Sequence, residues 1–599
     1  MRQKRPVHNR IHVSFDLQKW FEPVDLNQAH HQNWVWLALS IGVACYFGGL
    51  TLLYTLNHEY IIQDDARQHI VWLQRFVDRQ LFPNDWIADY FGAVAPLGFK
   101  GLYGIAAQLG IEPIILAKIL PLVLSCVTSI YLFGVSLQIF PIPFSAFLAT
   151  LILNQQLWLN DDLTSATPRA FIYPIFTAFL YYLLRWKLFP CLITIMLQGL
   201  FFPQLVFVQV LILSFRLLHY QQNIWKLSQQ QQDYIFWLAG TSVAGLILLP
   251  FALNLSEFGQ VMTAAQMQSM PEYGLAGRNE YFGVNPFRFI FFGDGGLRIP
   301  LFPSIILAGL GLPFLKRFSL ASAITTHVKL LAQVVLASLV MYGLAHLLLM
   351  KLHFPNRYTY HTFRIVLSIA TGIVLTVLLD AGWWKLQKLQ SLQTRAQLTL
   401  RGKLLLGLTI CAALVMLIVP AIPPLFVRFQ GWVIGEAPLI YQYLEAQPKN
   451  VLIASLSQEA NNLPAFSQRS TLVGREFALP HHPKYYAQFQ QRARDLLSAQ
   501  YSSDLSTVTR VIDQYDIDFF LVERTAFQPD YLKQDWLIRS SFQDDVYKVI
   551  QKLEQKSLQE NNLPVMQQFM EQCQVASTET LVLIQASCLT NSAPTSAPN

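Results

Sequence analysis

Apolar stretches long enough to approach the width of a bilayer recur along this chain from Trp34 to Val427. A helix needs roughly 20 apolar residues to cross the hydrocarbon core, where the segment itself must satisfy every backbone polar group. Clear apolar runs cover Trp34–Leu56, Ile114–Leu137, Phe144–Leu159, Phe171–Leu184, Pro190–Leu218, Tyr234–Leu253, Pro300–Leu315, Leu330–Met350, Ile365–Leu379 and Leu404–Val427. They set the expected fold class: an all-α polytopic membrane protein of about eleven or twelve spans. Composition excludes the alternatives. Only 13% of the 599 residues are charged, where a soluble domain carries about 25%. The 43 Lys and Arg form no dense basic patch, so nucleic acid is not an expected partner.

Charge sets the topology. The segment 1–33 is long and polar and carries Arg2, Lys4, Arg5, Arg10 and Lys19, so it reads as cytoplasmic, followed by an uncleaved anchor. Basic clusters at Arg185/Lys187, Arg216/Lys226, Lys316/Arg317/Lys329 and Lys385–Lys403 share that side if an even number of crossings separates them. That parity breaks Pro190–Leu218 into two short helices around Pro203 and makes Gly92–Gly110 re-entrant or part of a hairpin. The membrane module is 34–428, with exoplasmic loops 57–91, 160–169, 254–299 and 351–360. In the first loop Ile70, Leu73, Phe76 and Val77 recur at helical spacing, which predicts a helix along the interface.

The segment 429–589 reads as an exoplasmic α/β domain. Val451–Ser455, Ser470–Val473 and Asp518–Val522 are expected strands, and Lys484–Gln500 and Thr507–Tyr515 expected helices. The end, 590–599, has a disordered composition. Cys45, Cys126, Cys191 and Cys411 fall in spans as small core residues. An exported tail would allow a Cys573–Cys588 disulfide; two free thiols is the plainer alternative.

Chemistry concentrates in the loops. Asp64-Asp65 lies just past the first span, where adjacent carboxylates serve as general base or metal ligand, or merely cap a helix. Asp161-Asp162 follows another apolar run, and Arg169 opens the next helix behind Pro168. Arg357, His361 and Arg364 share one helical face beside Tyr358. Arginine grips phosphate bidentately, and cations at membrane depth need a polar partner; lipid-headgroup anchoring is the alternative. The loop 254–299, with Arg278, Glu280 and Arg288 among its charges and several glycines, reads as a mobile substrate loop.

Taken in order, these features resemble the GT-C glycosyltransferases, of the protein-mannosyltransferase and aminoarabinose-transferase type. The resemblance covers roughly residues 30–430: Gln63-Asp64-Asp65 after the first span, the weak segment Ala95–Tyr103, Asp161-Asp162 in a second loop, the break at Pro203 and the late Pro355-Asn-Arg-Tyr358. It implies transfer of a hexose or pentose, with inversion, from a polyprenyl-phosphate-linked donor to an unidentified lipid, glycan or protein acceptor. It implies a general base at Asp64 or Asp65, with Asp65 favoured, and a second acidic residue at Asp161 or Asp162. It implies donor-phosphate binding by Arg357, with Arg169, Arg364, Tyr358 and His361 beside it. A divalent metal held by Asp64, Asp65 and Asp162 stays open, because the acidic pairs are contiguous and not spaced Asp-x-Asp. The expected site is a bacterial inner membrane. A transporter or flippase of a lipid-linked or anionic substrate, and an inactive GT-C-like scaffold, are the competing readings.

Overall fold

The structure, a computed structural model, describes residues 17–26, 31–221, 224–253, 257–275, 277–293, 303–391, 411, 414–556 and 563–591. The basic residues Arg2 to Arg10, much of the expected Leu404–Val427 span and the end of the tail lie outside them.

Among the described residues, five helices are long and apolar enough to cross a membrane: His31–Leu56, Pro113–Ile139, Gln231–Pro250, Thr326–Lys351 and Asn356–Trp384. Shorter apolar helices fill the spaces between: Pro143–Trp158, Ile172–Leu184, Leu188–Phe201 and Gln204–Arg216. The last two meet at Phe202-Pro203, where proline withholds the backbone donor a continuous helix needs. Trp86–Val94 and Leu97–Gln108 are likewise two helices, interrupted at Ala95-Pro96.

The Pro300–Leu315 run is not a regular α-helix. Its described part winds as 3-10 turns over Ser304–Arg317, with Pro313 inside. Gly309 and Gly311 weaken α-helix there, and a Cβ on Gly309 would lie 2.8 Å from the Leu367 carbonyl. The segment therefore packs close against the long helix Asn356–Ser391, which also lies along Pro143–Trp158.

The tail carries a five-stranded sheet. Its order is Ser470–Thr471, Leu452–Ala454, Phe519–Glu523, Leu581–Gln585, Gln574–Ser577, with the first three parallel and the last two pairings antiparallel. Phe519–Glu523 is central and almost wholly buried, as its apolar run requires. The two closing strands were not read from the sequence, although Leu581–Gln585 is an apolar run. The helices Pro483–Gln500 and Leu505–Tyr515 form as expected. Cys573 and Cys588 are disulfide-bonded, their Cα atoms 5.5 Å apart.

The first loop is not a single interfacial helix. It begins as a strand, Ile61–Gln63, followed by the helix Asp64–His69 and a 3-10 stretch, Val71–Phe76. Ile70 and Leu73 are buried while Phe76 and Val77 are exposed, and the 3-10 stretch packs against the helices Leu97–Gln108 and Pro113–Ile139. The strand pairs antiparallel with Trp432–Ile434 at the root of the tail. The 257–293 segment touches the same domain: Met262 N–H donates to the His481 carbonyl at 3.0 Å, and the Tyr486 hydroxyl to Glu272 at 2.6 Å. Loops and tail thus meet on one face of the helical module.

Candidate active site

The Asp64-Asp65 pair opens the helix Asp64–His69, yet neither aspartate caps it. Gln63 does: its Oε1 accepts from the backbone N–H of Asp65 at 2.8 Å and of Ala66 at 3.3 Å. Both carboxylates are left for other partners, which weighs against the capping reading. Asp64 pairs with Arg67, one turn further on, and Asp65 with Arg169. The backbone N–H of Asp64 donates to the Gly431 carbonyl at 2.8 Å. Gly431 has φ +69°, and a Cβ there would lie 3.5 Å from Asp161 Cβ and 3.7 Å from Asp64 Cβ. The root of the tail therefore runs between the two acidic pairs, where a residue without a side chain fits.

Arg169 stands in a 3-10 turn, Pro168–Phe171, at the entrance of the helix Ile172–Leu184. Its Nη2 lies 3.1 Å from Asp161 Oδ2 and its Nη1 3.5 Å from Asp162 Oδ1. One guanidinium joins both acidic loops. Asp162, its side chain 4% exposed, also accepts from Arg364 Nη1 at 3.1 Å; Arg364 is 2% exposed. The Arg364 guanidinium lies 3.5 Å from the centre of the Tyr360 ring, and its Nη2 donates to Asn160 at 3.4 Å. The Nε–H groups of Arg169 and Arg364 are buried without a partner.

The Asp161 side chain is 45% exposed, yet desolvation by the surrounding protein and the adjacent charge of Asp162 hold its carboxyl above the usual carboxylate range. Burial also raises Asp162, against the pull of Arg364. Burial and then the charge of Arg357 bring Arg169 down to about 10, so it stays a cation at neutral pH.

Arg357, in the first turn of the Asn356–Ser391 helix, is half-buried. Its guanidinium lies 5.9 Å from the centre of the Phe202 ring, at the break between the two short helices. It makes no ion pair among the described residues. Its field is felt nearby: burial, and then Arg357, hold His69 down to about 4. His361, one turn on, is buried with its Nδ1 2.9 Å from the Tyr173 hydroxyl. Tyr358 faces elsewhere: it is fully buried and its hydroxyl donates to the Leu352 carbonyl.

The sequence candidates thus divide. Asp64, Asp65, Asp161, Asp162, Arg169 and Arg364 form one connected cluster, with Arg357 and His361 on the helix that carries Arg364. Of the loop candidates, Arg278 pairs with Glu476 of the tail at 2.9 Å, while Glu280 and Arg288 are exposed. No group of three or more His, Cys, Asp or Glu side chains among the described residues is placed to hold a metal. The Arg169 guanidinium stands instead where Asp65, Asp161 and Asp162 converge. The cluster also uses Asn160 and Tyr360, to which the sequence assigns no part in the site, and Gln430 and Glu476, which it does not mark at all. No local pattern marks the last two, whose roles come from the tail folding back over the loops.

No family model matches the chain, and no curated protein matches its sequence. Solved structures resemble it distantly. One is an oligosaccharyltransferase of Archaeoglobus fulgidus tethered to an acceptor peptide containing the NVT sequon. It is 12% identical, with 87% of this chain and 72% of that chain covered and a TM-score of 0.48. Another is the archaeal oligosaccharyltransferase AglB of the same organism in complex with an inhibitory peptide and a dolichol-phosphate. It is 12% identical over 87% and 72% of the two chains, with a TM-score of 0.45. Likenesses this distant assign neither family nor chemistry to the chain.

Proposed function

We propose that the chain is an integral membrane glycosyltransferase of GT-C type. It moves a sugar from a polyprenyl-phosphate-linked donor to an acceptor on the face where loops and tail meet. One observation carries this reading. A guanidinium without a counter-ion, Arg357, stands at the end of a candidate span, on the same helix as Arg364 and so beside carboxylates already anchored by Arg169 and Arg364. A lipid phosphate supplies the missing anion, and the apolar helices supply a surface for its chain.

The residues then take distinct roles. Arg357 takes up the charge that develops on the departing phosphate. Asp65, with Asp64 beside it, accepts the proton of the acceptor hydroxyl as its oxygen attacks the anomeric carbon. The bond from that carbon to the phosphate oxygen breaks, polyprenyl phosphate leaves, and the anomeric centre inverts. Arg169 and Arg364 position the carboxylates. No step is assigned to a metal. This reading places the chain in a bacterial inner membrane, with the N-terminus cytoplasmic and the tail exoplasmic.

The test is turnover of a panel of polyprenyl-phosphate sugars by the purified protein and its Asp65→Asn, Asp161→Asn and Arg357→Ala variants. Release of polyprenyl phosphate by the wild type, reduced at least a hundredfold in Asp65→Asn and Arg357→Ala, is expected. Loss in Asp161→Asn with Asp65→Asn still active would move the base to Asp161, whose raised proton affinity suits that task. Donor binding without turnover by the wild type would overturn the enzyme reading in favour of a transporter or scaffold.

A further inference from the structure

A cavity of about 250 Å³ lies between the 257–293 segment and the tail domain. That is the liquid volume of about eight waters, room for a sugar-sized polar ligand. Glu272 and Arg278 line it from the loop, and Arg475, Asp535, Trp536 and Arg539 from the tail.

Its charges are unevenly committed. Glu272 is saturated: it accepts from the Tyr486 hydroxyl at 2.6 Å and from the Ser541 N–H and hydroxyl at 2.7 Å. Asp535 Oδ1 accepts from Leu537 N–H at 2.9 Å, and burial pushes its carboxyl up to about 7. The arginines are less occupied. Arg475 and Arg539 are exposed and have no side-chain partner among the described residues. Arg278 Nη1 is buried without a partner, while its Nη2 donates to Glu476 at 2.9 Å. The cavity thus offers guanidinium donors from two separate parts of the chain and no uncommitted strong anion to meet them. Trp536 adds an aromatic side chain to this polar wall.

The cavity is also wired to the carboxylate cluster. Glu476 binds Arg278 on one side and on the other lies 3.9 Å from Arg67, the partner of Asp64. Gln68 Nε2 donates to the same Glu476 carboxylate at 2.6 Å. A ligand in the cavity therefore sits one ion-pair chain away from the acidic site.

We infer that this cavity binds an anionic saccharide portion of the acceptor, its carboxylate or phosphate gripped by Arg475, Arg539 and Arg278. The word acceptor rests on the glycosyltransferase reading; the binding of an anionic saccharide does not. Arginine forks match both anions, and the cavity's hydrogen-bonding wall matches sugar hydroxyls.

The experiment is calorimetric titration of the full-length protein in detergent with three probes: an oligo-uronide of three residues, a hexose phosphate, and the neutral oligosaccharide matching the uronide. Wild type is compared with the Arg475→Ala/Arg539→Ala variant, whose exposed and unpartnered side chains leave the fold intact. At least one anionic probe is expected to bind at least tenfold more tightly than the neutral one, and that preference should vanish in the variant. Uronide against hexose phosphate tells which anion is read. The proposal is overturned if no probe binds, if all bind alike, or if the preference survives in the variant. Donor consumption is followed separately. Anion-selective binding without donor turnover would sink the glycosyltransferase reading and leave this site standing. Donor turnover without anion-selective binding would do the reverse.

Discussion

Asp64 and Asp162 look equivalent in the sequence, each belonging to an Asp-Asp pair just past an apolar run, and the fold treats them differently. The Asp162 side chain is 4% exposed and faces Arg364 and Arg169, whereas Asp64 is 47% exposed and faces Arg67. Removing one partner of a buried ion pair strands the other charge, which costs about 3–5 kcal/mol. Arg67 is buried too, but without Asp64 it keeps Asn462 at 2.8 Å and Glu476 at 3.9 Å, and the half-exposed Asp64 leaves little behind, so the loss there is smaller. Asp162→Asn should therefore unfold at a clearly lower temperature than wild type, and Asp64→Asn should unfold close to it. Thermal unfolding of the purified variants in detergent checks this, and equal melting of the two would refute the assigned burial. At this scale the types of side chain were legible in advance and their partners were not. Asp64-Asp65, Asp161-Asp162, Arg169 and Arg364 could be picked out because charge beside an apolar span is costly and so conspicuous. That Gln63 makes the cap, and that Arg169 bridges both acidic loops, depends on how distant segments meet.

Between elements, what matters is how closely helices approach. The Asn356–Ser391 helix crosses Pro143–Trp158 at Gly372, where a Cβ would lie 2.6 Å from the Ser145 carbonyl and 2.9 Å from Ala149 N. Backbone cannot move aside as a flexible side chain does, and small residues are what allow helices to pack this closely in a membrane. Gly372→Ala should cost about 1–3 kcal/mol by overpacking. Gly343, in the helix Lys329–Leu348, has nothing within 4 Å of its would-be Cβ, and Gly343→Ala should be neutral or stabilising by up to about 1 kcal/mol. Folded yield and melting temperature of the two variants decide it; a neutral Gly372→Ala would mean the helices sit further apart. Periodicity located most helices, because apolar runs mark them directly. It overreached at Ser304–Arg317, where Gly309, Gly311 and Pro313 turn an apolar run into 3-10 turns. It also misread Ile70–Val77, where the structure has a 3-10 stretch packed against the helices Leu97–Gln108 and Pro113–Ile139 in place of one interfacial helix.

The whole molecule depends on the tail folding back onto the first loop, and Gln430 is the residue at that joint. Its side chain is wholly buried; Nε2 donates to Thr51 Oγ1 at 3.0 Å and to the Trp158 carbonyl at 3.3 Å, and Oε1 accepts from Trp432 Nε1 at 2.8 Å. Its carbonyl accepts from Gln63 Nε2 at 3.3 Å and Thr164 Oγ1 at 3.0 Å. One residue thereby ties together the first helix, the Pro143–Trp158 helix, both acidic loops and the root of the tail. No composition or spacing marks a lone glutamine for such a role. Gln430→Ala leaves the Trp158 carbonyl and the Trp432 N–H without these partners, each worth about 1–3 kcal/mol when buried. It also loosens the backbone on which Asp64 and Asp161 are set, and a shift of about 1 Å in a reacting group can slow a reaction about a hundredfold. Arg357 stands on a different helix and keeps its place. The variant should therefore lose at least about tenfold in turnover while binding the donor lipid as wild type does, a split read by comparing kcat with donor affinity. Equal losses in both would mean that the donor site, too, is held by the tail; unchanged turnover would mean that the acidic loops keep their geometry without this joint.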